Sequence, residues 1–502
     1  MPETSTTAAN PAAIPASTAA STATSTAASA APLVMLHLGL GSFHRAHQAV
    51  YQQALHDAGD ARWVLHGGNI RPDMAETMHA LQASGGAYML ETVSPAGERR
   101  YQRISAIRRV IPHDTALSGL VAAGADAATR IVSFTVTEAG YYLDAAHQLD
   151  LHFADLAADL AATRAGHPHP QTPTIYGALT AILRARMAAG GGPVTLLNCD
   201  NLRHNGERAR GGLLQFIGLA GDTDLLAWVQ ARTTSPNTMV DRITPRPTAD
   251  VRERIKAATG VDDPAALMGE RFIQWVIEDH FAAGRPDWQH VGGQLVASVD
   301  VYEEAKIRLL NAPHSCIAWA GTLLGLTYIH EGTQLPAIRK LAFDYATDDV
   351  LPVLDTPQQP SPIDLAAYRD MVLSRFGNAA IADTNQRVAM DGFSKIPGFI
   401  APTIRERLAQ GASPADISSV AMLPALFLAY LQRWHRGRIA YTYQDQAMDP
   451  AVAHAICSAT DPVAAFCADV PLWGGLAADA RLVAAVRAAA VRVDQFIQEH
   501  QA

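Results

Sequence analysis

The stretch Leu33-Val34-Met35-Leu36-His37-Leu38-Gly39-Leu40-Gly41-Ser42-Phe43-His44-Arg45-Ala46-His47 decides the fold. A strand-like run from Leu33 to Leu38 feeds a glycine turn and then a helix, the opening unit of a dinucleotide-binding fold. Gly39 allows the tight turn. Gly41 lets a pyrophosphate approach backbone N–H groups at the helix start, where Ser42 and Phe43 stand. His44 holds the place of the usual third glycine, so the fingerprint is incomplete and a plain structural turn stays an alternative. The sequence that follows strengthens the nucleotide reading. A helix is expected through Val50 to His56 with Gly59 as its stop, and Arg62-Trp63-Val64-Leu65-His66-Gly67 reads as a second strand. Strand, helix and strand fit within about 35 residues, as a βαβ unit requires.

After the second strand comes Gly68-Asn69-Ile70-Arg71-Pro72-Asp73, where such folds hold the adenosine ribose. Asn69 and Asp73 are the candidate contacts. A carboxylate at Asp73 accepts from a 2′-hydroxyl and repels a 2′-phosphate, whereas Arg71 would welcome that phosphate; the balance favours NAD. Two later strand-like runs end in polar groups. Ile131 to Val136 leads into Thr137-Glu138-Ala139-Gly140-Tyr141, and Val194 to Leu197 leads into Asn198-Cys199-Asp200-Asn201. In an open parallel sheet ligands sit beyond the carboxyl ends of strands, so Glu138, Asp200 and Asn201 are placed to meet one, with helix capping or a turn as the alternative for Asp200.

Composition frames the whole chain. A length of 502 residues exceeds what one core usually holds, and 49% hydrophobic content supplies two. A net charge of -9 provides no cationic excess for nucleic acid or an anionic membrane, which leaves small molecules as the expected partners of a monomeric protein. Cys199, Cys316, Cys457 and Cys467 show neither CxxC pairs nor zinc-type histidine spacing; their scarcity points to a reducing compartment, the cytoplasm, and to no structural metal. Residues 1–32 are almost entirely Ala, Ser, Thr and Pro and are expected to form a disordered tail with no secretory or mitochondrial address. No apolar run reaches the roughly 18 residues needed to span a bilayer.

The organisation expected from these signals is α/β: a Rossmann-type domain over 33–298, then a mainly α-helical domain over 299–502. Beyond Gly260 apolar residues recur at helical spacing in Phe272 to Ile277, Ile317 to Leu326, Val420 to Leu431 and Leu482 to Ile497. Chemistry concentrates in Tyr302-Glu303-Glu304-Ala305-Lys306-Ile307-Arg308-Leu309-Leu310-Asn311-Ala312-Pro313-His314. A lysine among apolar residues can lose its proton, while an amide and an imidazole aim hydrogen bonds at a developing alkoxide; a solvated lysine, an Asn-Pro helix irregularity and a packed histidine are the alternative. On a regular helix at roughly 100° per residue, Lys306, Asn311 and His314 span about 140°, and Pro313 loosens that geometry further. A second basic pair, Arg387 and Lys395, lies on a loop-rich stretch, with ordinary solvation as its alternative.

Five ordered motifs now stand together: Gly39 to His47, Thr137 to Tyr141, Cys199-Asp200-Asn201, Met239-Val240-Asp241-Arg242-Ile243-Thr244-Pro245, and Lys306 with Asn311 and His314. Together they resemble the long-chain mannitol dehydrogenase family, from about Leu33 to the C-terminus. Within it, Asn198 to Arg208, Phe272 to Val276 and Asp383 to Arg387 are most similar to the branch that oxidises D-arabinitol at C4, with mannitol oxidation as the near alternative. The resemblance implies that Lys306 is the catalytic base, that Asn201 and Asn311 steady the oxyanion, and that His314 orients the reacting hydroxyl. It implies further that Asp241, Arg387 and Lys395 line the polyol site, that Glu138 and Glu303 relay a proton to water, that NAD takes the hydride and that no zinc takes part. A helix-surface ion pair is the alternative for Glu303. A catalytically idle NAD-sensing protein is the alternative of another class, and it would have lost the lysine or an asparagine.

Overall fold

The computed structural model describes residues 31–144, 147–166 and 173–500, so all of the expected tail but Ala31 and Pro32 lies outside the described residues. Strand β1 (Leu33–Leu38) alternates its burial between two apolar clusters. Met35 packs with Trp63, Leu65, Ile131 and Leu197, whereas Leu36 and Leu38 pack with Val132, Phe134, Val194 and Leu196. A strand that is apolar on both faces must be covered on both, the condition met by a parallel sheet between helical layers.

That sheet is built from β1, β2 (Trp63–Gly68), β5 (Ile107–Val110), β6 (Thr129–Phe134), β7 (Val194–Asn198) and β8 (Thr233–Thr234), in the order β5-β2-β1-β6-β7-β8. All of its pairings are parallel. The chain winds outward from β1 to one edge and returns at β6 to wind toward the other, so the carboxyl ends of β1 and β6 flank the topological switch point. Two short helices, α1 (Ser42–Ala46) and α2 (Gln48–Asp57), follow β1 and are broken at His47. Two three-stranded sheets accompany the large one: β3 (Tyr88–Val93) between β10 (Leu267–Glu270) and β4 (Arg99–Ile104), and β11 (Gln274–Glu278) between β12 (Gln294–Val296) and β9 (Thr238–Asp241).

One helical expectation fails here. Phe272 to Ile277 carries helical spacing, yet Gln274–Glu278 is strand β11, antiparallel to β9 and parallel to β12. Trp275, Val276 and Ile277 are all buried, and a short run buried on both faces has no period that separates strand from helix. The helical half therefore begins at Asp300 and not at Gly260.

Contacts divide the chain into two units. The first ends at Val299 and lacks Ser94–Glu98, which join Asp300–Ala502 in the second. The second unit is helical around one apolar cluster that includes Trp319, Phe427, Tyr430 and Trp473. Its last helix, Ala480–His500, buries Leu482, Ala485, Val486, Ala489, Val493 and Phe496, the stripe expected of an amphipathic helix on a core. Among the described residues no helix is long and apolar enough to cross a membrane.

Candidate functional site

In the first unit the glycine turn has the geometry its sequence demands. Gly39 has φ +105°, and a Cβ there would lie 2.4 Å from the Thr135 carbonyl oxygen just beyond β6, so only glycine fits. Gly41 is the residue before α1, and a Cβ on it would meet nothing within 4 Å. The turn is tied on both sides. Leu40 N–H donates to Asn69 Oδ1 at 2.8 Å, and Asn69 Nδ2 donates to the Asp73 carboxylate at 3.2 Å. Beneath it, His37 Nε2–H donates to the Gly39 carbonyl at 3.1 Å while Nδ1 accepts from Ser133 at 2.8 Å. His44, in the third-glycine position, stacks on His37 with ring centroids 3.5 Å apart. Burial pushes the His37 pKa down to about 3 and that of His44 well below its usual value, so this strand-to-helix contact is made by two neutral rings. Ser42 and Phe43 open α1, and Phe43 stacks on His47 at 5.0 Å.

Asp73 is exposed, whereas Arg71 donates to Tyr142 Oη at 2.7 Å and Asp155 at 3.2 Å. Asp200 is a clamp rather than a ligand. Its buried carboxylate accepts from Val136 N–H at 2.8 Å, Thr137 N–H at 3.0 Å and the Tyr141 hydroxyl, tying the end of β6 to the end of β7. Burial raises its pKa against those hydrogen bonds. Asn201, the next residue, is exposed. Glu138 starts a 3₁₀ turn at Glu138–Tyr141, and its side chain lies outside the described residues. Asp241 ends β9, buried and opposite Gln274 of β11.

In the second unit, helix Asp300–Lys306 runs into a π-helical turn, Ile307–Asn311, and then into helix Ala312–Leu323. Ala312 N–H donates to the Ile307 carbonyl, five residues back. The wider turn corrects the regular-helix angles for Lys306, Asn311 and His314, since the two ends of the segment belong to helices offset by the π insertion. Lys306 and Glu303 are buried one turn apart, and Asn311 is half-buried. His314 stacks on Phe376 at 4.3 Å, and its Nε2 lies 3.4 Å from Asp383 Oδ2. Asp383 also accepts from Arg387 Nε at 2.6 Å and from the other end of the same guanidinium. Burial works against the Asp383 charge, but its bonds to His314 and Arg387 hold the carboxyl well below the usual range. Burial lowers the His314 pKa despite that carboxylate. Lys395 donates to the Val388 carbonyl at 2.5 Å, and burial brings its pKa down to about 8. Lys395 is thus half-buried and bonded, whereas Arg387 is exposed and paired with Asp383.

Comparison with known proteins matches residues 34–290 to the mannitol dehydrogenase Rossmann domain and residues 298–494 to the mannitol dehydrogenase C-terminal domain. The chain belongs to the mannitol dehydrogenase family. Among its relatives, the D-arabinitol 4-dehydrogenase of Ralstonia nicotianae is 58% identical, over 92% of this chain and 97% of the relative. The D-arabinitol 4-dehydrogenase of Klebsiella pneumoniae is 52% identical, over 90% and 96%. The solved mannitol 2-dehydrogenase of Pseudomonas fluorescens, a ternary complex with NAD and D-mannitol, superposes with a TM-score of 0.78 at 32% identity, over 93% of this chain and 94% of that one.

As a member of the mannitol dehydrogenase family the chain is an oxidoreductase, and its glycine turn lies in the family's Rossmann domain. Sequence reasoning missed the His37–His44 stack and the two partners of Asp383. Asp383 stands four residues before Arg387, the spacing of a helical ion pair, which was the available signal. It missed the π turn too, although Pro313 marks it: a proline has no N–H for the carbonyl four residues back.

Proposed function

We propose that this protein oxidises D-arabinitol at C4 to D-xylulose with NAD. The first unit's glycine turn supports the cofactor: the space before Gly41 is open to a pyrophosphate, at the start of α1. The exposed Asp73 carboxylate favours a ribose 2′-hydroxyl, and Arg71 is engaged by Asp155 and Tyr142 rather than offered to a 2′-phosphate. Gly39, Gly41, Ser42, Phe43, Asn69 and Asp73 hold the nucleotide. When bound, NAD supplies the hydride acceptor.

The observation that carries the chemistry is Lys306, buried at the threshold of the π turn that ends on Asn311, one turn before His314. Lys306 accepts the C4 hydroxyl proton, Asn201 and Asn311 donate to the alkoxide oxygen, and His314 orients the hydroxyl. Asp241, Arg387 and Lys395 bind the remaining hydroxyls, and Glu138 and Glu303 pass the proton toward water. This scheme asks nothing of a metal ion. Similarity to two D-arabinitol 4-dehydrogenases supports the choice of polyol. Four free cysteines support a reducing, cytoplasmic setting, and a monomer suffices for a small substrate.

A panel of D-arabinitol, mannitol, sorbitol, xylitol and ribitol, followed by NADH absorbance, tests the reading. D-Arabinitol is expected to give the highest kcat/KM; a clear win for mannitol overturns the substrate assignment.

A further inference from the structure

We propose that Asp383 is a positioning residue: its carboxylate keeps the His314 proton on Nε2, leaving Nδ1 as the acceptor offered to a substrate hydroxyl, and fixes the plane of Arg387. The inference rests on the reading that His314 and Arg387 meet the polyol. Asp383 lies against both groups. Oδ2 faces the buried His314 Nε2 at 3.4 Å, close enough to draw the ring hydrogen to that nitrogen by charge although the two make no aligned hydrogen bond, and it also takes one end of the Arg387 guanidinium, while Oδ1 takes Arg387 Nε at 2.6 Å. The carboxylate is only 9% exposed, against 63% for the arginine side chain. It is therefore the buried end of a clamp whose cationic arm reaches outward.

An ionised carboxylate only accepts, so the ring nitrogen facing it carries the hydrogen. The imidazole stays neutral because burial, with the charges of Arg387 and Lys395 nearby, outweighs the attraction of Asp383. A neutral ring with Nε2–H has one lone pair left, on Nδ1. Phe376 stacks on the ring within 16° of parallel, which fixes its plane. Asp383 is held in turn: its carbonyl accepts from Ile329 N–H at 2.9 Å, and the next residue, Thr384, caps helix Asn385–Ala389. One carboxylate thus couples a hydrogen-bond acceptor and a hydroxyl-binding cation, contributed by helix Ala312–Leu323 and helix Asn385–Ala389.

The test uses Asp383→Leu, Asp383→Asn and His314→Asn in the full chain. Imidazole ¹⁵N signals of ¹⁵N-histidine-labelled protein, assigned by loss of one ring in His314→Asn, report the tautomer. The wild type is expected to show Nε2–H at His314. Asp383→Leu is expected to lose that preference and to lower kcat/KM for the polyol by roughly 10- to 100-fold, the usual effect of removing an orienting partner. NAD affinity is expected to stay unchanged, and Asp383→Asn, which keeps an acceptor oxygen, to recover part of both signals. If Asp383→Leu does not fold, Asp383→Asn carries the same readouts. A folded Asp383 variant with wild-type tautomer and kcat/KM overturns the proposal. If His314→Asn leaves kcat/KM unchanged, the reading of the site fails first, and this inference with it.

Discussion

The glycine turn after β1 and the lysine-led turns of the second unit hold their candidate functional groups by opposite means. The first works through backbone. Gly39 and Gly41 carry no side chain, and the surrounding atoms of Asn69, His37 and Thr135 fix peptide groups rather than project into a site. The second works through long side chains set on irregular helix. Ile307–Asn311, Tyr345–Val350 and Ile396–Ile400 are π-helical, and each ends two residues before a proline: Pro313, Pro352 and Pro402. A proline's ring crowds the carbonyl four residues back and gives it no hydrogen, so the ladder widens by one residue there. Lys306 and Lys395 stand immediately before two of these turns. Asp344, before the third, pairs with Lys340 at the surface, so the π turn is in itself a response to proline, and only the two that follow a lysine are candidates for chemistry.

That contrast can be broken by mutation, most forcefully at Lys306. Lys306→Ala is expected to lower kcat by roughly two to four powers of ten, the usual worth of a positioned base, with NAD affinity unchanged. Near-normal turnover would return Lys306 to the scaffold. The two glycines come next. Gly39→Ala must place a methyl against the Thr135 carbonyl at positive φ, and is expected to cost about 2 kcal/mol or more in denaturant unfolding. Gly41→Ala meets no neighbour, so stability should hold within about 0.5 kcal/mol while NAD binding by calorimetry weakens roughly 10-fold. Equal effects of the two substitutions would remove the distinction between a turn glycine and a ligand-approach glycine.

Asp73→Ser is expected to improve the NADP-to-NAD ratio of kcat/KM roughly 10-fold by removing a like charge from the ribose pocket. No change would point to Arg71 as the governing group. The smallest effect is one of pH. Lys395 has a folded pKa of about 8 against 10.5 for the free side chain, so between those values the unfolded chain binds more protons and stability rises with pH. Lys395→Met should flatten that rise in unfolding midpoints measured from pH 8 to pH 10; an unchanged slope would mean that Lys395 is solvated.

Legibility followed the range of the interactions. The β1 turn could be read because its parts lie within about nine consecutive residues and strand, glycine and helix signals are local. Lys306, Asn311 and His314 could be named for the same reason, but not their angular relation, because one missing proline N–H shifts the helix register. Gln274–Glu278 was misread as helix because partners on both sides, β9 and β12, override an ambiguous apolar run. For Asp200 the sequence left a ligand-facing and a structural reading open, and its oxygens are spent on the end of β6, more than sixty residues away.

By itself, then, the sequence determined the Rossmann-type beginning, the helical second half and the residue types able to move a proton and meet a hydroxyl, since each rests on patterns of neighbouring residues. Tertiary structure alone decided that His44 stacks on His37 in place of a glycine, that Arg71 is drawn away by Asp155, and that Asp383 lies against His314. Whether such groups meet depends on how the elements between them pack, which no local pattern encodes.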